Sequence, residues 1–178
     1  NLGAALAAKG RLNQAISNYR SALAIDPDNV DALYNLGNAL KKAGRHNEAI
    51  SHYRSALRID PDNAKVHNNL GSALAALGRQ NEAISHYRLA LGINPNNVYA
   101  HYNLGNALMT MGRRDEAIGN YNSALRIDPL CAEAHYSLGI ALASEGRQDE
   151  AVGRFQRALQ INPRDAKAHN NLGIALAA

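Results

Sequence analysis

The chain has 178 residues, 46% of them hydrophobic, and carries 19 Lys and Arg against 15 Asp and Glu for a net charge of +4. Apolar content is that of a folded protein, no apolar run approaches membrane-spanning length, and the scattered, mildly basic charge gives no argument for nucleic acid. The single cysteine, Cys131, excludes an internal disulfide and leaves the compartment open, with a cytoplasmic setting favoured. The opening stretch, NLGAALAAKG, lacks the basic segment and cleavage pattern of a secretory signal. Residues 1–29 read as the end of one helix followed by a second, and from residue 30 a unit of 34 residues repeats as 30–63, 64–97, 98–131 and 132–165, with 166–178 left as a lone first helix.

The period shows in every column. Glycine stands at 3, 37, 71, 105, 139 and 173, an aromatic at Tyr19, Tyr53, Tyr87, Tyr121 and Phe155, and proline at 27, 61, 95, 129 and 163. A fixed period between about 20 and 50 residues is the signature of a repeat protein. Within 30–63, Leu33, Leu36, Ala39 and Leu40 share one helical face, and Ala49, Ile50, Tyr53, Ala56, Leu57 and Ile59 form a second such stripe. Helices are predicted near 30–43 and 47–59. Gly44 stops the first, as Gly10, Gly78, Gly112 and Gly146 do elsewhere, and the residue before Pro61 ends the second. Gly37 and Ala49 leave room for close helix approach, and Tyr53 is expected to fill the space between repeats. Neighbouring hairpins must then stack to share a core. Leu172, Ile174 and Leu176 have no following helix, so the sequence reads as a middle portion of a longer array, or as ends that stack on another copy.

The pattern L-G-x2-[YL], A-x3-[YF], A, P at this spacing resembles the tetratricopeptide repeat over the whole chain. Leu33, His67, His101, His135 and His169 stand where that family usually has tryptophan, and leucine replaces the usual mid-helix tyrosine. The resemblance implies an all-α fold, a right-handed superhelical α-solenoid of stacked antiparallel helix pairs.

No catalytic chemistry is expected. His67, His101, His135 and His169 come one per repeat, and stacked helices lie about 8–10 Å apart, too far for neighbours to share a zinc ion with nitrogen ligands at about 2.0–2.1 Å. Packing is their predicted role, and no metal or cofactor is called for. Cys131 and His135 are near enough on a helix to touch, but the histidine recurs where no cysteine is present, so Cys131 reads as a small residue filling a turn beside Leu130. No glycine cluster follows a strand, so a phosphate loop is not supported. The chain is read as a binding module, not an enzyme.

In tetratricopeptide arrays the first helices line a concave face where ligands lie. Carried onto this sequence, that face holds Tyr34, Asn35, Asn38, Lys65, Asn69, Tyr99, Tyr102, Asn103, Asn106, Tyr136 and Asn171. Asparagine fills one column at 1, 35, 69, 103 and 171, with Ser137 the exception. An amide both donates and accepts, which suits the backbone of an extended peptide, and tyrosine adds apolar area with a polar tip. The column, with helix text such as EAISHYRSALRIDPDN, resembles the repeat domain of O-linked N-acetylglucosamine transferases, which implies the recognition arm of a larger protein. Against that stand an asparagine that is merely solvated or bonded within its own helix, and recent duplication of the unit.

Chaperone-binding members of the family grip a carboxylate through three cations and two asparagines; here Asn38 and Asn69 match the asparagines, Tyr34, Tyr99 and Asn103 stand where the cations would be, and the register that starts from the fourth repeat restores only Lys167. Arg45, Arg79, Arg113 and Arg147 are each followed three residues on by glutamate and are expected to pair locally. The partner is therefore read as a protein or peptide. The alternatives are an RNA-reading helical repeat, disfavoured by the constant asparagine column and the lack of a Lys/Arg track, and end-to-end self-association.

Overall fold

The computed structural model describes residues 11–178; Asn1, Gly3 and Gly10, three positions of the repeat columns, lie outside the described residues. Ten helices and no strands occur among the described residues. They are α1 (Leu12–Ile25), α2 (Val30–Lys42), α3 (His46–Ile59), α4 (Ala64–Ala76), α5 (Gln80–Ile93), α6 (Val98–Thr110), α7 (Arg114–Ile127), α8 (Ala132–Ser144), α9 (Gln148–Ile161) and α10 (Ala166–Ala177). The chain divides into two compact units, Asn1–Pro95 with α1 to α5 and Asn96–Ala178 with α6 to α10. In each, a helix packs on the next in sequence: α2 on α3 and α4 on α5 in the first unit, α6 on α7 and α8 on α9 in the second. This is the all-α helical-repeat architecture expected from the 34-residue period.

Local chemistry sets the helix ends. Asn29, Asn63 and Asn97 each accept a hydrogen bond from the backbone N–H three residues on, and Asp165 does the same for Ala168. Cys131 holds the equivalent place before α8 and makes no capping bond. Gly44, Gly78, Gly112 and Gly146 take φ of 76°, 75°, 74° and 77°, the left-handed conformation that only glycine adopts cheaply. The next helix begins one residue earlier than the pattern predicts, at His46, because Arg45 (φ −86°, ψ 59°) is the last residue off the helix.

A second glycine column does different work. A Cβ built on Gly37 would lie 2.5 Å from Tyr53 Cε1, and the same clash recurs for Gly71 on Tyr87, Gly105 on Tyr121 and Gly139 on Phe155. The ring therefore lies inside its own hairpin, flat against the missing side chain, and the expectation of a ring between repeats gives way to this contact. Tyr53, Tyr87, Tyr121 and Phe155 are all buried, as are Leu36, Leu70 and Leu138 around them. Burial holds the tyrosine hydroxyls far above their ordinary pKa, so they stay protonated.

The histidine column packs as expected. The Nε2–H of His67, His135 and His169 donates to the carbonyl of Pro61, Pro129 and Pro163, each at 3.0–3.1 Å, tying the first helix to the turn before it. Because a carbonyl only accepts, Nδ1 of neutral His67 holds a lone pair, and His86 Nδ1–H donates to it at 3.0 Å with the rings stacked 5.3 Å apart. In the next repeat the pair is His101 and Asn120, 3.3 Å apart. Among the described residues no cluster of three metal-ligating side chains forms.

Three predictions follow from these contacts. Gly37→Ala has no room beside the fully buried Tyr53 and is expected to cost about 1–3 kcal/mol of stability in urea unfolding, the range for overpacking. Cys131→Asn restores the cap its neighbours have and is expected to gain about 1 kcal/mol in the same assay. The third concerns acid. Burial is the main cause that lowers the pKa of His52, His86 and His135; at His86 the nearby His67 and Arg54 add to it and Glu82 opposes it. The unfolded chain thus takes up protons that the folded chain resists, so this stability is whole above about pH 6.5 and falls as the pH drops through the lowered values. His86→Asn, which copies the Asn120 arrangement, should shrink the acid-side slope of stability against pH by up to about one proton.

Candidate functional site

On α2 and α4 of the first unit, one amide organises the half-buried polar side chains. Asn69 donates from Nδ2 to the Tyr34 hydroxyl at 3.0 Å and to the Lys65 carbonyl at 3.1 Å, and its Oδ1 accepts from Lys41 Nζ at 2.6 Å. Lys41 Nζ also donates to Ser72 Oγ at 3.5 Å. Beside this network, Tyr53 reaches out from the core and donates to Asn38 Oδ1 at 2.7 Å, with its ring 6.3 Å from that of Tyr34. Tyr34, Asn35, Asn38 and Asn69 are half-buried, and Lys65 is exposed. Both amide hydrogens of Asn69 are committed within the protein, so it acts first as a staple between successive first helices.

The second unit repeats part of this arrangement. Tyr121 donates to Asn106 Oδ1 at 2.7 Å with its ring 6.2 Å from Tyr102, and Asn171 Nδ2 donates to the Tyr136 hydroxyl at 3.0 Å. One repeat differs in two places at once. Where the hydroxyls of Tyr53 and Tyr121 meet Asn38 and Asn106, Phe155 and Ile140 line a common cavity, so the core ring has no hydroxyl to satisfy and the surface residue needs no acceptor. The result is an apolar cavity of about 300 Å³ lined by Ile140, Ala143, Phe155 and Ile174, with Asn171 and Gln148 at its polar side. Gln148 Oε1 is buried there without a hydrogen-bond partner. Asn103 is half-buried, and Tyr99 is 72% exposed on the first turn of α6.

The sequence-predicted positions lie on first helices, Tyr34, Asn35, Asn38, Lys65 and Asn69 on α2 and α4, and Tyr99, Tyr102, Asn103, Asn106, Tyr136 and Asn171 on α6, α8 and α10; hydrogen bonds bring Asn69 to Tyr34 and Asn171 to Tyr136. Sequence reasoning missed the weight carried by Lys41 and the cavity at Ile140 and Ile174. A signal existed for both: Lys41 is the one cation in a column continued by Ala75, Met109 and Ala143, and Ile140 breaks a polar column of Asn38, Ser72 and Asn106.

The remaining candidates resolve as local structure. Arg45, Arg79, Arg113 and Arg147 each make the expected two-pronged pair with the glutamate three residues on, at 2.6–2.9 Å. Arg20 and Arg54 reach the same glutamates from the preceding repeat at 3.4 and 3.8 Å. These pairs are exposed, so they rim the turns and add little stability. Cys131 Sγ lies 3.8 Å from Glu133 Oε2, and burial raises its thiol pKa, the reverse of what a nucleophile needs. His135 is committed to Pro129 and forms no pair with it. Among the described residues no helix is long and apolar enough to cross a membrane.

Comparison with known proteins agrees with this architecture. The model for the TPR repeat matches residues 3–44, 38–78 and 71–112, and that for the tetratricopeptide repeat matches 102–166. No curated protein sequence matches the chain. Among solved structures, MamA is 32% identical with a TM-score of 0.81, covering 94% of this chain and 98% of its own. YrrB, described as a TPR protein with an unusual peptide-binding site, is 26% identical with a TM-score of 0.75, covering 96% of this chain and 88% of its own. Pseudomonas aeruginosa pilF, at 23% identity and a TM-score of 0.87 over 98% of this chain and 85% of its own, shares the fold. Family models that between them span almost the whole chain, together with stacked helix pairs closed by a ring on a glycine, make this a tetratricopeptide-repeat protein.

Proposed function

We propose that the chain is a protein-interaction scaffold that holds extended peptide segments on the first-helix faces of its two units. The observation that carries this reading is the row of half-buried polar side chains on α2 and α4, held in place by the Asn69 amide rather than left to solvent. A fixed set of hydroxyl, amide and ammonium groups costs little further entropy when a peptide binds, and tyrosine faces supply apolar area beside them. Asn69 and Asn171 contribute by fixing the Tyr34 and Tyr136 hydroxyls, and Asn35 and Asn38 offer amides to the peptide backbone. In the second unit the cavity between Ile140 and Ile174 has the size and lining for one apolar side chain. The family is one that works by binding proteins, and the YrrB structure, with its peptide-binding site, is a fitting precedent.

The test is a phage-displayed random dodecamer library selected on the whole chain, with the enriched peptides then measured on Tyr34→Ala/Asn35→Ala and Ile174→Asp variants whose helicity is intact by circular dichroism. Enriched peptides should lose about tenfold or more in affinity on at least one variant, the loss expected when a central aromatic anchor or a buried apolar slot is removed. Failure to enrich any peptide, or binding to both variants as tight as to the wild type, overturns the reading.

A further inference from the structure

The first unit contains a cation without an anion. Lys41 is half-buried beside Asn69 and Ser72, and both of its partners are neutral. No carboxylate among the described residues lies within 4.0 Å of its Nζ, and residues 1–10 contain no Asp or Glu that could supply one. Removing an ammonium from water is costly unless a negative charge or full hydrogen bonding replaces the lost hydration. Burial holds the Lys41 pKa below its ordinary value, the expected sign for an uncompensated cation. The equivalent residues Ala75, Met109 and Ala143 show that the fold itself does not require a charge at this position.

Two hydrogen-bond donors remain to be used there. An ammonium has three, and Asn69 and Ser72 take two of them. The Tyr34 hydroxyl accepts from Asn69 and keeps its own hydrogen. Both groups lie within one hydrogen bond of the same Asn69 amide, which fixes them relative to each other, and Asn69 is itself fixed by the Lys65 carbonyl. Two oriented donors, one of them charged, suit the two oxygens of a carboxylate. The exposed Lys42 and Lys65 add positive potential around the spot. Tyr34 and Asn69 are two of the positions compared above with the chaperone-type carboxylate grip, whereas Lys41, three residues beyond Asn38, lies outside them and supplies a cation from a different place.

We propose that Lys41 and Tyr34 form an anchor for a carboxylate of the bound peptide, so that the first unit selects acidic segments. This deepens the peptide-scaffold reading and rests on it. The carboxylate accepts one hydrogen bond from the Lys41 ammonium and one from the Tyr34 hydroxyl, and its charge replaces the hydration that burial removed. It comes from an Asp or Glu side chain or from a peptide C-terminus.

The experiment uses four pools of fluorescent random dodecapeptides, with Asp and Glu either included or replaced by Asn and Gln, each pool made as the free acid and as the C-terminal amide. Binding to the whole chain is read by anisotropy at 0.15 M salt, where attraction to the exposed Lys42 and Lys65 is largely screened. The acid-containing pool is expected to bind about tenfold more tightly than the neutral amide pool, the worth of a charged hydrogen bond. If the free acid of the neutral pool keeps that advantage and amidation removes it, the C-terminus is the source; if amidation of the acidic pool changes nothing, side chains are. Lys41→Gln, whose amide can still reach Asn69 and Ser72, should abolish the advantage. Tyr34→Phe should reduce it, and Lys42→Gln, which removes an equal charge one residue away, should leave it in place. Equal binding of acidic and neutral pools to the wild type, or an advantage that survives Lys41→Gln, overturns the anchor while the scaffold reading stands. No binding of any pool overturns both.

Discussion

An aromatic ring lying on a glycine sets the geometry from which the rest of this protein follows. With no Cβ on Gly37, Gly71, Gly105 or Gly139, the two helices of a repeat approach until the ring of Tyr53, Tyr87, Tyr121 or Phe155 fills the gap. The ring is long enough to cross the hairpin, so a tyrosine carries its hydroxyl from the core to the far face of the first helix. There it must find an acceptor, because a buried hydroxyl without one costs about 1–3 kcal/mol. Asn38 and Asn106 are those acceptors. A residue that looks like part of a binding surface is thus in part a consequence of what packs behind it. Phe155 with Ile140 is the same rule in its apolar form, and it opens the cavity of the second unit.

This coupling explains which features were legible in the sequence. The period, the helix pairs and the helix C-termini were, because each depends on a residue and its near neighbours: a glycine where φ must be positive, a residue before proline; the asparagine caps, equally local, were not read. The two glycine columns look alike in sequence and differ in cause, since Gly44 answers a backbone angle and Gly37 a ring sixteen residues away. The candidate face was legible as a set of positions but not as a set of bonds. Asn69 is bonded to Tyr34 and Lys41, which lie one repeat back, and nothing in the local text says that an asparagine will face a tyrosine thirty-five residues earlier. Two members of the column that reads as a ladder of free amides, Asn69 and Asn171, are each spent on a tyrosine hydroxyl of the preceding repeat.

Charge distinguishes the two faces further. On the first unit the first helices carry Lys41 with amides and hydroxyls, and the nearest acid on α2 is Asp31, about 15 Å along the helix at 1.5 Å per residue. On the second, the column of Lys41 continues as Met109 and Ala143, and that of Asn38 as Asn106, Ile140 and Ile174. Repeats built on one plan thus present different chemistry at equivalent places, and they do so by single substitutions that leave the ring-on-glycine contact untouched. The core columns cannot change without disturbing every hairpin. The face columns can, wherever the ring behind them permits. On the peptide-scaffold reading proposed above, selectivity would rest on the residues that break their column, such as Lys41 and the Ile140 and Ile174 pair.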